Sequence, residues 1–434
     1  MSKRSYSASL SQSQGRSGYS VIFRHPVRRD EATGKEGVRV RRGLATRDPA
    51  KAERLRDQLN ELLGDHRYHD PASRVEAERR FEPIVVDIFF HKMVQEKRDF
   101  AALREEAIPL PSSEPEGYRR VLFLGTTGAG KTTLVRQLIG TDPSTERFPS
   151  TSTAKITIND TEIVLAESRW RAVVTFVSND EAREVLNECI SAAVLAAYKR
   201  ADHGTVLRLL LSHVNQRFRF NYVLGNGPET NGGDFDPEDE ETEDGAPQIS
   251  VEELGEIDLG ATVELLAPTT TQLREIAHRL GDRLSAELDA RGEEDERVLE
   301  EIFEEELDNL LRDDDEFHEI SDAMIDEIEK RFDMLPPGEV KRTRQGWPLA
   351  WSGEWSQEDR LEFLKAVSRF SSNYAPFFGR LLTPLVNGLR VAGPFAHSWA
   401  PHLVPKLVLL DGEGMGHTTK SSASVSTEVT RRIE

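Results

Sequence analysis

Four residues have the types and the spacing of a phosphate-binding loop. Gly125, Gly130, Lys131 and Thr132 satisfy the pattern G-x-x-x-x-G-K-[ST] in the stretch GTTGAGKTT. The glycines let consecutive backbone N–H groups curl round phosphate oxygens, the lysine places a positive charge between the outer two phosphates, and the threonine hydroxyl binds Mg²⁺. The stretch therefore predicts binding of a nucleoside triphosphate, GTP or ATP, together with Mg²⁺. We assign the phosphate contacts to Gly125, Thr126, Thr127, Gly128, Ala129, Gly130, Lys131, Thr132 and Thr133.

An acidic residue with a complementary role stands far along the chain. Asp411 ends the apolar run of LVLLDGEG, and Gly414 follows three positions later in the pattern D-x-x-G. In nucleotide-binding α/β sheets, a second parallel strand beside the loop-bearing one ends in an Asp that holds Mg²⁺, usually through water. The sequence therefore predicts a metal site shared by Thr132 and Asp411. The alternative interpretation is an ordinary turn after a core strand.

The segments around the loop have the order strand, loop, helix. YRRVLFLG is a short apolar run typical of a buried parallel strand, and LVRQLIG has helical periodicity. Three β-rich pieces, STSTAKITIND, TEIVLAES and WRAVVTFVS, predict a meander. Ser178 followed by Glu181 is a capping box, which predicts a helix start. We expect the first part of a P-loop NTPase domain over 116–178 and its second part over 403–434.

The rest of the chain is predicted to be mainly helical. We expect a disordered, basic, serine-rich arm over 1–47 and a helical region with a linker over 48–115, where Asp48 caps the first helix. Residues 179–402 are expected to form a mainly helical insertion, packed as an antiparallel bundle or short coiled coil. Within it, residues 226–248 are acidic and glycine-rich, which predicts a disordered loop. One predicted stripe of apolar residues consists of Leu273, Ile276, Leu280, Leu284 and Leu288.

The predicted fold class is therefore α/β. A P-loop NTPase sheet is interrupted by a large, mainly helical insertion and preceded by a helical N-terminal region. GTTGAGKTTL, STSTA and LLDGEGMGH together resemble the P-loop GTPases of the translation-factor class, particularly the dynamin-, septin- and guanylate-binding-like branches. The resemblance covers residues 118–178 and 403–434.

That resemblance implies roles for further residues. Thr151 or Thr153 would be the switch threonine that closes on the metal, and the backbone N–H of Gly414 would touch the γ-phosphate. His417 or Glu413 would position the attacking water. Nucleotide-dependent movement of these switch segments would be transmitted to the helical insertion.

Two departures from the GTPase pattern leave alternatives open. The chain has no [NT]-K-x-D motif for the guanine base, and little sequence follows Asp411 to build the remaining strands of such a sheet. We therefore expect an incomplete domain, either a fragment or a protein completed by a second chain, and a homodimer is also compatible. The alternatives to a GTP hydrolase are an ATP-binding ATPase and a catalytically inactive nucleotide-binding scaffold.

Composition limits the class of protein. The formal net charge is −20, and no run of 18 apolar residues or secretory signal is present, which favours a cytoplasmic protein without a transmembrane segment. The basic arm lacks aromatic residues interleaved with basic ones, so nucleic-acid binding is not expected. The single cysteine, Cys189, lies on the apolar face of a predicted helix and is expected to be a small buried hydrophobe.

Overall fold

The computed structural model describes residues 6–12, 18–29, 34–93, 99–114, 116–124, 130–142, 145–150, 160–213, 218–226, 249–250, 254, 259–290, 296–396 and 404–411. The chain divides into two compact units. The first unit contains Met1–Asp99 and Arg342–Pro348, and the second contains Phe100–Lys341 and Leu349–Glu434. The division falls at Asp99, whereas the sequence suggested a boundary near residue 115.

The first unit contains a three-stranded antiparallel sheet where a disordered arm was predicted. Its strands are, in spatial order, β1 (Ser9–Ser11), β2 (Ser20–Arg24) and β3 (Arg39–Gly43). Val21 and Phe23 of β2 and Val40 of β3 are buried in one core. The prediction of disorder over 1–47 is therefore wrong for its described residues. Alternation in these short strands creates one apolar face, but the surrounding serines and arginines conceal that pattern in the sequence.

Three helices complete the first unit: α1 (Pro49–Gly64), α2 (Arg74–Arg80) and α3 (Pro83–Phe90). The predicted start of α1 is confirmed, because the Asp48 side chain accepts a hydrogen bond from the N–H of Ala50. Leu55, Leu59 and Leu62 form the buried face of this helix. A short 3₁₀ helix, His66–His69, follows α1.

A seven-stranded mixed sheet forms the centre of the second unit. Its strands are β4 (Arg119–Phe123), β5 (Asp160–Leu165), β6 (Trp170–Phe176), β7 (Glu339–Arg342), β8 (Pro348–Trp355), β9 (Val386–Gly393) and β10 (Leu407–Asp411). Their spatial order is β4-β10-β5-β9-β6-β8-β7. The pairs β4/β10 and β5/β9 are parallel, and the pairs β10/β5, β9/β6 and β6/β8 are antiparallel. The predicted α/β class is confirmed at this level.

One expectation about the sheet is wrong. β5 and β6 do not form a meander, because β9 lies between them. The described residues of 179–402 are mainly helical, as predicted, but this segment also supplies β7, β8 and β9, three strands of the sheet that were not predicted. Periodicity alone does not distinguish a short buried strand from part of a helix, and the pairing of β9 with β5 depends on residues distant in the sequence.

Helix α4 (Phe100–Ala107) is attached to this sheet by a buried group of charges. The Arg390 guanidinium donates hydrogen bonds to Glu162 at 2.6 Å and to Glu105 at 2.7 Å. Arg104 lies 3.4 Å from the same Glu162 carboxylate and donates to the Thr175 hydroxyl at 2.9 Å. Because Arg104, Glu162 and Arg390 are all buried, α4 belongs to the second unit. This attachment explains why the division between the units precedes residue 100.

The remaining helices are α5 (Lys131–Ile139), α6 (Asn179–Tyr198), α7 (His203–Leu211), α8 (Asn221–Leu224), α9 (Leu259–Asp289), α10 (Glu296–Leu311), α11 (Asp315–Arg331) and α12 (Arg360–Ser371). Ser178 caps α6 as predicted, because its hydroxyl accepts a hydrogen bond from the N–H of Glu181. The predicted stripe from Leu273 to Leu288 is buried along α9, and Cys189 is buried in α6.

No helix in the described ranges is long and apolar enough to cross a membrane. Apart from Asn226, the predicted acidic loop lies outside the described residues.

Candidate functional site

The predicted phosphate-binding stretch runs from the end of β4 to the start of α5. Gly130 has a φ of 80°, a left-handed conformation that glycine adopts without steric cost. Its carbonyl accepts a hydrogen bond from the N–H of Leu134 at 2.9 Å, so the helical bonding begins at this glycine. Lys131 and Thr132 consequently lie in the first turn of α5, where the helix dipole favours negative charge.

Strand β10 brings the second predicted motif to the same end of the sheet. It runs parallel to β4, and its last residue, Asp411, is in register with Phe123. The carboxyl ends of the two strands therefore lie side by side, and Asp411 stands beside the start of the loop. On its other edge β10 pairs with β5, where Thr161 is the register partner of Asp411. Strands from three distant segments of the chain thus lie side by side at Asp411.

A direct hydrogen bond connects Thr132 with Asp411. The Thr132 hydroxyl donates to Oδ2 of Asp411 at 3.0 Å, although the two residues are 279 positions apart in the sequence. Asp411 is 2% exposed. Its Oδ1 atom is buried and has no hydrogen-bond partner in the described part of the chain. Within the described residues, the site therefore contains one buried carboxylate oxygen without a hydrogen-bond partner.

The electrostatic environment of Asp411 reflects this burial. Desolvation raises the pKa of the carboxyl group, while the hydrogen bond from Thr132 and the positive charge of Lys131 lower it. The net direction is upward, so the protein contacts do not fully compensate the charged form for its lost hydration. A cation bound at Oδ1 would supply the missing compensation.

A magnesium ion fits this donor set. Mg²⁺ prefers hard oxygen ligands and is usually held by one or two protein groups, with waters and substrate phosphates completing its octahedral shell. The Thr132 hydroxyl and the Asp411 carboxylate are such groups, and the unsatisfied Oδ1 offers a free lone pair. The described ranges contain no group of three or more His, Cys, Asp and Glu residues that could hold a metal ion.

No family model and no curated protein matches this chain. The interpretation of the site therefore depends on its own geometry. The structure brings Gly130, Lys131 and Thr132 together with Asp411, and Thr133 is exposed beside them in α5. The other predicted site residues lie outside the described ranges: Gly125, Thr126, Thr127, Gly128, Ala129, Thr151, Thr153, Glu413, Gly414 and His417.

The segment that follows α5 is held by contacts that sequence reasoning missed. The guanidinium of Arg136, buried in α5, donates to the carbonyl of Pro149 at 2.7 Å. Arg360 at the start of α12 makes a two-pronged ion pair with Glu146, with both hydrogen bonds at 2.7 Å. These contacts fix the chain just before residue 151, where the predicted switch threonines begin. No local motif marks these residues, because each partner lies in a different element.

Proposed function

We propose that this chain binds a nucleoside triphosphate with Mg²⁺ and acts as a GTPase-like switch. The observation that carries the proposal is the hydrogen bond between Thr132 and Asp411. A lysine and a threonine following a left-handed glycine, with a buried carboxylate on the neighbouring parallel strand, are the parts that a P-loop needs for phosphate and metal. GTP is the proposed nucleotide because D-x-x-G at Asp411 and Gly414 resembles the GTPase motif.

Each described residue has a distinct part in the proposed binding. Lys131 is the first residue of α5, and its ammonium group would contact phosphate oxygens that also accept hydrogen bonds from backbone N–H groups at this helix end. Thr132 and Asp411 would hold Mg²⁺, which when bound supplies charge neutralisation for the phosphates. The buried position of Asp411 excludes water from one side of the site and strengthens its attraction for a cation.

The proposed switch follows from the elements that converge on Asp411. β5 begins soon after the segment containing Thr151 and Thr153. Its second residue, Thr161, is the register partner of Asp411. β10 leads directly into the segment containing Glu413, Gly414 and His417. A change in nucleotide state at the metal would therefore act on both segments, and β5 transmits it into the sheet through its pairing with β9.

Nucleotide titration tests the binding proposal. We expect the purified chain to bind a fluorescent GTP analogue in the presence of Mg²⁺, and we expect Lys131→Ala to weaken binding at least tenfold by removing the phosphate contact. Lys406→Ala is a matched control, since this lysine lies just before β10 and its ammonium donates to the carbonyl of Glu116. Failure of the wild-type chain to bind either GTP or ATP analogues would refute the proposal.

Two further outcomes separate the possible activities. Tighter binding of the ATP analogue than of the GTP analogue would reassign the site to an ATPase. Phosphate release from GTP, compared between the wild type and Lys131→Ala, tests hydrolysis. Equal rates in the two proteins would remove the catalytic part of the proposal and leave a nucleotide-binding module.

A further inference from the structure

A pair of histidines in the first unit has the geometry of a transition-metal site. His66 and His69 are the first and last residues of the 3₁₀ helix that follows α1. In a 3₁₀ helix the side chains at positions i and i+3 are eclipsed, so this spacing places the two imidazole rings on the same side of the helix. A hydrogen bond of 3.2 Å joins their Nδ1 atoms, and the rings meet edge to face, with their planes inclined by 74°.

The separation of the two nitrogen atoms matches the span of two ligands on one metal ion. With Zn–N bonds of about 2.0–2.1 Å, two nitrogens are about 3.3 Å apart in a tetrahedral shell and about 2.9 Å apart at right angles in an octahedral shell. The observed Nδ1–Nδ1 distance of 3.2 Å falls between these values. A metal ion bound to both Nδ1 atoms would take the place of the shared proton at about the same nitrogen separation, with both rings turned so that their lone pairs point to the ion.

The orientation of His69 is set by a second contact. Its Nε2 lies 3.2 Å from the carbonyl oxygen of Leu63, and a carbonyl only accepts, so Nε2 carries the proton and the Nδ1 of the neutral ring is left with a lone pair. Its ring also stacks on Phe89, with centroids 6.2 Å apart. A backbone carbonyl that fixes the second ring nitrogen is the usual outer contact of a metal-binding histidine.

The neighbouring residues leave the site open to solvent. His66 is exposed, so water can accept from Nε2–H in the tautomer whose Nδ1 lone pair is the ligand. Asp65 is engaged elsewhere, because its carboxylate caps the 3₁₀ helix and pairs with Arg67 at 2.6 Å. The remaining coordination positions would therefore be taken by water.

From this geometry we infer that His66 and His69 bind a late divalent transition metal, of the Zn²⁺ class, through their Nδ1 atoms. Imidazole nitrogen suits Zn²⁺, Cu²⁺ and Ni²⁺, whereas Mg²⁺ and Ca²⁺ prefer oxygen ligands. The inferred site is exchangeable, because only two protein ligands hold the ion. It is independent of the nucleotide proposal, since all its residues lie in the first unit.

Metal competition on the full chain tests the inference. The tag-free, chelator-treated protein is titrated with Zn²⁺ against a chromophoric zinc indicator, in excess Mg²⁺. We expect one competing site per chain, weakened at least tenfold in His66→Gln and in His69→Gln. His278→Gln is the matched control, because this histidine is 57% exposed on α9 and its Nδ1 lies 3.8 Å from Asp282. The Zn²⁺ affinity of this variant should equal that of the wild type.

A spectroscopic measurement identifies the ligands directly. With Cu²⁺ as the probe, electron paramagnetic resonance should show hyperfine coupling to two imidazole nitrogens in the wild type and to one in either single variant. Because His66 is exposed, His66→Gln keeps the fold, which circular dichroism verifies. Absence of Zn²⁺ competition in the wild type, or equal affinity in the wild type and His66→Gln, would overturn the inference.

Discussion

Among single residues, Asp411 has the least favourable environment of the candidate site. It is 2% exposed, one of its oxygens accepts a hydrogen bond from Thr132, and the other has no hydrogen-bond partner among the described residues. A buried carboxylate with an unsatisfied oxygen raises the free energy of the folded state. Such groups are found at functional sites, where a ligand relieves the cost.

Substitution of the Asp411 carboxylate should weaken metal binding without reducing the stability of the fold. Asp411→Asn keeps the shape and an oxygen that accepts from Thr132, but it removes the negative charge. We expect the Mg²⁺-dependent part of GTP-analogue affinity to fall at least tenfold, or about 1.4 kcal/mol, while the free energy of unfolding without nucleotide does not fall. Titrations with Mg²⁺ and with EDTA measure the difference. Asp333→Asn, at an exposed position, is the control, and an unchanged Mg²⁺ dependence in Asp411→Asn would contradict the metal role.

His25 makes the first unit sensitive to acid. This buried side chain contacts the carbonyl of Phe89 through Nε2, and its Nδ1 accepts hydrogen bonds from the N–H groups of Val27 and Arg28. The pKa of His25 is lowered from 6.5 to about 4, and burial is the main cause. The hydrogen bond to Phe89 acts in the opposite direction, while Arg28 and His69 contribute to the lowering. The folded state therefore holds the ring neutral.

The consequence is a loss of stability as the pH falls from 6.5 to about 4. In that window the unfolded chain binds a proton on His25 and the folded chain does not, so protons favour unfolding. The effect amounts to at most about 3 kcal/mol. Denaturant unfolding of the first unit, measured at pH 7 and pH 5, should show this loss in the wild type and a smaller one in His25→Gln. The same pH dependence in both proteins would exclude His25 as its source.

The contact of helix α4 with the sheet depends on opposite charges that are buried together. Arg390→Met should destabilise the second unit by about 3–5 kcal/mol, because it removes the 2.6 Å hydrogen bond to the buried Glu162 carboxylate and leaves Arg104 at the longer distance of 3.4 Å. Adding Glu162→Gln to the variant should recover part of that loss. Denaturant unfolding followed by tryptophan fluorescence measures both changes.

An exposed ion pair on the same unit provides the comparison. Arg169 pairs with Glu354 at 3.1 Å, but its side chain is 70% exposed. Arg169→Met should therefore cost less than about 1 kcal/mol. A loss as small in Arg390→Met would show that the buried group does not hold α4 on the sheet.

Elements with strong local signals were predictable from the sequence. Asp48 followed by Pro49 defined the start of α1, Ser178 with Glu181 defined the start of α6, and both caps are present. The proximity of Thr132 and Asp411 was also predictable, because each belongs to a motif that requires the other. Local patterns sufficed wherever one segment determines its own structure.

Elements that depend on distant partners were not predictable in the same way. The short strands of 1–47 carry too many serines and arginines for their apolar face to be recognised. β9 lies in the segment predicted to be mainly helical, and its place in the sheet depends on β5 and β6, which lie on either side of it. The Arg390 group joins α4, β5 and β9, and no spacing in the sequence connects these elements. Their structure is a property of the tertiary fold.

For the whole molecule, the sheet order has a consequence during synthesis. Among the described strands, β4 pairs only with β10, and Thr132 and Asp411 are separated by 279 residues. A ribosome adding about 5–20 residues per second takes about 15–60 s to cover that distance. Throughout this interval the backbone N–H and C=O groups of the nascent β4 lack the strand that pairs with them, so we expect the emerging chain to be bound by ribosome-associated chaperones.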